Sequence, residues 1–315
     1  MGYKPPPMTP SNPATAYPAA TDSQPLQTVY KRIENYYATA GPDYASWSPH
    51  FNMHFGYFKK FTDLFSLEKM LRQMNVVVLD QLQVSPLQKS SIADLGCGMA
   101  TVARYAASRF SHSTLTAFTI VPAHIEKAKQ LNRNAGLQDR INMQLENFEA
   151  LPQPDESFTH AYAIESACHA ASSQKELFIS EMARVLKKGG RFCIADGFLK
   201  NNRPKPGIFN WLYRKMTNYW AVPGFATIGD FKNKLEAYGL IDIQVREISY
   251  RIAPSVLYVP LVCIRFFIRE LWRNKSLRMK KERWQNVYAP LLGMFVGLFR
   301  NQFGYYLISG KKPTQ

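Results

Sequence analysis

The sequence predicts an α/β fold, a doubly wound and mostly parallel sheet, on three observations. Short apolar runs alternate with helical stretches between residues 91 and 248. One of those runs ends in a glycine-rich turn, Gly96-Cys97-Gly98, that leads into a helix. Hydrophobic residues make up 46% of the 315 positions and aromatics 13%, which excludes wholesale disorder and supplies one sizeable core. Alternation at this spacing signals βαβ units. A single core stops growing near roughly 250–300 residues, so one catalytic domain with appendages is expected.

Each element has its own signal. Residues 1–25 hold seven of the 20 prolines and read as a flexible tail. Residues 26–82 read as a helical, aromatic N-terminal cap, interrupted at Gly41-Pro42 and Ser48-Pro49. A core over 83–250 follows. Its strands are expected at 91–95, 115–119, 141–145, 158–164, 191–196 and 241–248. Its helices are expected at 101–110, 122–135, 174–186 (stopped by Gly189-Gly190) and 228–238. Residues 197–226 interrupt the alternation with Trp, Tyr and Lys and read as a lid. Residues 251–300 read as a basic and apolar helical insertion, and 301–315 carry the last strand, near 304–309. Insertions near strand ends are where α/β folds shape a substrate site.

Four cysteines lie far apart with no CxxC pair, against a zinc module or a disulfide framework and in keeping with a reducing compartment. The formal net charge of +16 attracts polyanions, so nucleic acid, anionic membrane and phosphorylated small molecules are all open partners. No base-flipping motif or RNA-binding module is present, which counts against nucleic acid. No apolar run reaches the roughly 18–20 residues of a membrane span, and no signal-peptide pattern opens the chain. A cytoplasmic protein with peripheral membrane contact is expected.

The glycine turn carries the first mechanism. Gly96 and Gly98 let the backbone bend and approach a ligand, and the helix behind them offers free N–H groups. Asp94 stands two residues before Gly96, awkward for a pyrophosphate but suited to an ammonium group. With Arg184-Val185-Leu186-Lys187-Lys188-Gly189-Gly190 downstream, this turn resembles those of Rossmann-like class I S-adenosylmethionine-dependent methyltransferases. The segments Lys129–Leu137 and Tyr162-Ala163-Ile164-Glu165-Ser166-Ala167-Cys168-His169-Ala170 resemble sterol 24-C-methyltransferases, and Asn52–Tyr57 is similar to tocopherol methyltransferases. The pattern departs in places. Ala100 stands where glycine is commoner, Thr119 where relatives place a carboxylate, and Asn147 where they place an Asp.

The resemblance implies S-adenosylmethionine as cofactor and S-adenosylhomocysteine as product, held by Asp94, Gly96, Cys97, Gly98, Thr119, Asn147, Phe148, Ile164 and Tyr37. It implies C-methylation of an alkene in an isoprenoid or lipid-like acceptor (a prenyl diphosphate, triterpene or sterol side chain), with ring closure if the cation is trapped internally. Glu165 is the first candidate base, with His169 one helical turn on and His54 in the aromatic segment. Tyr57, Trp47, Trp211, Tyr219 and Trp220 are candidates for lining the acceptor site. Arg265 and Arg269, with Arg273, recur every four residues and share a helix face, either solvated, clamping a diphosphate or docking on anionic lipid. A magnesium ion is implied only for a diphosphate. An O- or N-methyltransferase of a quinone or phenolic metabolite is the open alternative.

Overall fold

A computed structural model of the protein describes residues 25–202 and 207–315. The proline-rich segment expected as a tail lies outside the described residues, apart from Pro25. Helix α1 (Leu26–Ala40) buries Val29, Ile33, Tyr36 and Ala40, the stripe that a 3.6-residue period predicts. Helix α2 (Leu67–Leu82) is capped by Ser66, whose hydroxyl accepts from the Lys69 N–H. The expected helical cap fails between them. Residues 47–60 are irregular, because Ser48-Pro49 ends the helical pattern and the aromatic run that follows lies across the sheet edge.

The core then alternates as expected: β1 (Ser90–Leu95), α3 (Thr101–Arg109), β2 (Ser113–Thr119), α4 (Pro122–Asn134), β3 (Ile141–Leu145), β4 (Phe158–Ile164), α5 (Glu176–Val185) and β5 (Leu186–Leu199). After these come α6 (Gly207–Tyr219), α7 (Ile228–Ala237), β6 (Ile241–Glu247), α8 (Ser249–Val256), α9 (Val259–Asn274), α10 (Lys281–Leu298) and β7 (Phe303–Lys311). The strands form one sheet in the order β3-β2-β1-β4-β5-β7-β6, parallel except for β7, which runs antiparallel to both neighbours.

Neighbouring strand residues alternate between two cores. Ile92, Tyr162 and Cys193 face α2 and α3, while Ala93, Ala163 and Ile194 face α5 and α7. Buried on both faces, these strands read as continuous apolar runs.

Three expectations are corrected. The glycine pair does not stop a helix, because α5 ends at Val185 and β5 begins at once with Gly189-Gly190 inside it. A Cβ on Gly190 would lie 2.7 Å from the Lys187 carbonyl oxygen, so the strand irregularity there requires glycine. The last strand is longer than the alternation suggested, and β5 extends to Leu199 to pair with it. Finally, α8 and α9 together form a stretch of 26 residues, Ser249–Asn274, holding an 18-residue window of mean hydropathy 1.6, long and apolar enough by composition to cross a membrane. The interruption at Arg265 concealed that length in the sequence.

Candidate active site

The site is built at the carboxyl edge of the parallel strands, where an open α/β sheet leaves its crevice. At the end of β1, Gly96 (φ 89°) and Gly98 (φ 50°) take left-handed conformations. The Gly96 and Cys97 N–H groups both donate to the Phe118 carbonyl, which ties the turn to β2. A Cβ on Gly96 would meet Ser166 Cβ at 2.4 Å, and one on Gly98 would meet Met53 Sδ at 2.9 Å. Asp94 is buried and accepts from the Tyr162 hydroxyl at 2.7 Å. Burial pushes its carboxyl up to about 7, and the Tyr162 hydrogen bond opposes that rise.

A cleft opens over this turn. All nine residues expected to hold the cofactor line it: Asp94, Gly96, Cys97, Gly98, Thr119, Asn147, Phe148, Ile164 and Tyr37. Thr119 accepts from Val121 N–H and Asn147 from Glu149 N–H, so each also shapes its own turn. Sequence reasoning missed His124, which is buried beside the cleft with neither ring nitrogen bonded. It also missed Glu149, a buried carboxylate that accepts from Tyr30, from the Ser172 hydroxyl and from the Ala171 and Ser172 N–H groups. Glu149 thereby clips α1 over the cleft. No motif marks either residue.

A second, larger cavity of about 550 Å³ lies beyond the cleft, walled mainly by apolar side chains. Five residues line both spaces: Tyr37, Met53, His54, Glu165 and His169. The three side chains expected to be catalytic therefore converge on the passage between them.

Glu165 follows β4 in a left-handed conformation (φ 49°), unusual for a residue with a side chain. Its Oε1 accepts from the Phe55 N–H at 2.6 Å and from the Tyr305 hydroxyl at 2.8 Å. Burial pushes its carboxyl up to about 8, against those two hydrogen bonds. His169 Nε2 lies 2.9 Å from the Tyr37 hydroxyl, while its Nδ1 is buried without a partner. Burial and the Lys175 ammonium hold its pKa down near 3. His54 Nδ1 donates to the Phe55 carbonyl at 2.9 Å, so Nε2, buried and unbonded, carries the lone pair. Burial holds His54 near 4, so both rings are neutral at pH 7.

Trp47 and Trp220 line the larger cavity as expected, with the Phe55 ring edge-on to both. Tyr305 and Asp196 were missed. Asp196 ends the central part of β5 at the same sheet edge that singled out Glu165, so the same rule would have found it. Tyr305 sits on the antiparallel β7, which no βαβ pattern locates.

The other acceptor candidates lie elsewhere. Trp211 is exposed because α6 turns Phe209, Leu212 and Met216 inward. Tyr219 leans toward Tyr288 outside the cavity. Tyr57 lies in a separate groove beneath Arg251, since the chain leaves the site at Gly56, pressed against Met70. Arg265 and Arg269 lie on the outer face of α9 and line neither space. Of the two, Arg269 reaches a cavity-lining residue, its Nη1 lying 3.4 Å from the Ser46 hydroxyl.

Residues 92–190 match the family model described as a methyltransferase domain. The chain is 31% identical over 275 residues to the S-adenosyl-L-methionine-dependent Diels-Alderase iccD of Talaromyces variabilis, covering 82% of this chain and 87% of that protein. The chain belongs to the S-adenosylmethionine-dependent methyltransferases. Within the family it is 34% identical to the cycloartenol-C-24-methyltransferase of Arabidopsis thaliana, over 44% of this chain and 41% of that one. Its fold is that of the cyclopropane synthase MmaA2 of Mycobacterium tuberculosis (TM-score 0.76, 13% identity, 92% of this chain and all of that one). The cleft fits the family's cofactor: the glycine cradle admits no Cβ, and His124, in the first turn of α4 with both ring nitrogens unbonded, lines it.

Proposed function

We propose that this enzyme methylates an alkene carbon of an isoprenoid or lipid-like small molecule, with Glu165 as the base that completes the reaction. The observation that carries this reading is Glu165's place between the cofactor cleft and the apolar cavity. Bound in the cleft, S-adenosylmethionine supplies an electrophilic methyl group carried on a sulfonium. Once a carbon–carbon bond has formed, the acceptor is a carbocation. The rings of Trp47, Phe55 and Trp220 line the cavity that holds it, and each aromatic face stabilises a cation by about 0.5–2 kcal/mol. The Glu165 carboxylate removes a proton from the adjoining carbon, the double bond returns, and the residue is left as the neutral acid. The mainly apolar wall limits the water that could capture the cation first.

The geometry favours an uncharged acceptor, such as a triterpene or sterol side chain, over a prenyl diphosphate. Among the described cavity residues the one cation is Arg300, which is paired with Glu247. A second reading, ring closure without methylation, is favoured by the relationship to the Diels-Alderase. Below about pH 8, Glu165 is a neutral acid able to donate a hydrogen bond to a carbonyl dienophile.

Mass spectrometry separates the two. Incubation with methyl-labelled cofactor and squalene, a sterol or farnesyl diphosphate should give a product heavier by one labelled methyl group in place of a hydrogen. An isomer of unchanged mass would favour ring closure instead, and label found only on oxygen or nitrogen would refute the proposal.

A further inference from the structure

Helix α9 has two apolar faces. Its inner face carries Val259, Val262 and Phe266 into the wall of the larger cavity. On its outer side Leu261, Ile264, Ile268, Leu271 and Trp272 are all exposed, Ile268 by 62% and Trp272 by 87%. At 3.6 residues per turn these five, with Leu257 just before the helix, span an arc of about 100°. Arg265, Arg269 and Arg273 form a stripe along one border of that arc, all exposed. Arg265 and Arg273 form no ion pair among the described residues. Lys275, Arg278, Lys280 and Lys281, on the connection to α10 and its first turn, add exposed positive charge.

An apolar face of this size, bordered by unpaired cations, matches a bilayer surface carrying anionic headgroups. Although the α8–α9 stretch is long enough to span a membrane, it is pinned to the catalytic domain. The Ser255 hydroxyl accepts from the Gly56 N–H at 2.9 Å, and the Tyr258 hydroxyl donates to the Leu64 carbonyl at 2.6 Å. The helix therefore lies on a membrane and cannot cross it without dismantling the cavity wall. The cavity's lining also includes Tyr250, Leu257, Phe295 and Leu298, each of them exposed, and Leu257 belongs to the docking face as well.

We infer that the outer face of α9 docks this enzyme on an anionic lipid surface, with the rim of the acceptor cavity against the bilayer, so that a lipophilic acceptor enters without crossing water. The entry route rests on the cavity being the acceptor site. Docking itself is read independently of methyl transfer.

The test is cosedimentation of the full chain with vesicles of phosphatidylcholine alone and of equal parts phosphatidylcholine and phosphatidylglycerol. Binding to the mixed vesicles should exceed that to phosphatidylcholine at least tenfold and fall steeply with added salt. The pair I264Q/I268Q and, separately, R265E/R273E should each lower binding at least tenfold. Calorimetric affinity for S-adenosylhomocysteine should stay unchanged in both, which shows that they fold. Equal binding to both vesicle types, or variants that bind as well as the native chain, would overturn the inference. So would a native dimer that I264Q/I268Q dissociates while vesicles bind neither form, because the face would then cover a second copy. Retained cofactor binding with no vesicle binding would sink the docking alone and leave the proposed reaction standing.

Discussion

Glu165 sits in a left-handed backbone conformation directly after β4, and that bend delivers its carboxyl to the passage between cleft and cavity. Because burial holds the group near 8, the carboxylate needed for proton removal accumulates only as pH rises. Turnover of the free enzyme with an alkene acceptor should climb through about pH 8. Glu165→Gln should lose about 10²–10⁴-fold in kcat together with that climb. The Tyr305 hydroxyl donates to the charged form, so Tyr305→Phe should move the midpoint to higher pH, read from a kcat/KM profile. Stability follows the same group. A carboxyl raised from its ordinary 4.5 contributes stability fully present below 4.5 and lost as pH rises through about 8. The thermal midpoint should therefore fall between about pH 4.5 and 8 in the native chain and fall less in Glu165→Gln. Glu165, His169 and His54 were legible because their types stand at strand ends or in the aromatic segment. Tyr305 and His124 were not, because a lone Tyr or His has no spacing that announces it.

At the scale of elements, the turn after β1 shows where local rules bind and where they bend. Gly96 has no alternative: its φ is left-handed, and a Cβ would lie 2.4 Å from Ser166 Cβ. Gly96→Ala should weaken S-adenosylhomocysteine binding at least tenfold and cost about 2 kcal/mol or more of stability. Ala100 also adopts a left-handed conformation (φ 55°) at the start of α3, a strain of roughly 1–2 kcal/mol for a residue with a Cβ. Ala100→Gly should thus be neutral or stabilise by up to about 1 kcal/mol, since glycine's greater freedom in the unfolded chain offsets part of the relief. The departure from the family pattern was visible in sequence; its conformational meaning required the backbone. Farther along, Arg283 of α10 forks onto Asp43 and onto Glu270 of α9, all four contacts at 2.8–2.9 Å. Three wall elements meet there. Arg283→Met should cost about 2 kcal/mol and raise KM for the acceptor while leaving cofactor affinity intact.

For the whole molecule, the alternation of apolar runs and helices specified the sheet, because buried parallel strands and amphipathic helices leave unmistakable periods. The placement of β7 between β5 and β6 was hidden, since antiparallel insertion depends on partners far apart in sequence. So was the cavity, whose wall joins residues 37–55 to residues 249–305. What the composition did show was the excess of cations, part of which lies along α9 and the segment after it. Because ligands that bind only the folded state stabilise it, S-adenosylhomocysteine at about a hundred times its Kd should add about 2.7 kcal/mol and raise the thermal midpoint. The central claim, that Glu165 completes methyl transfer to carbon, is tested most directly by locating a labelled methyl group by NMR in the product of a triterpene or sterol acceptor. The account predicts label on a former alkene carbon, formed by the native chain and nearly abolished in Glu165→Gln. Label on oxygen or nitrogen, or carbon labelling undiminished in Glu165→Gln, would contradict it.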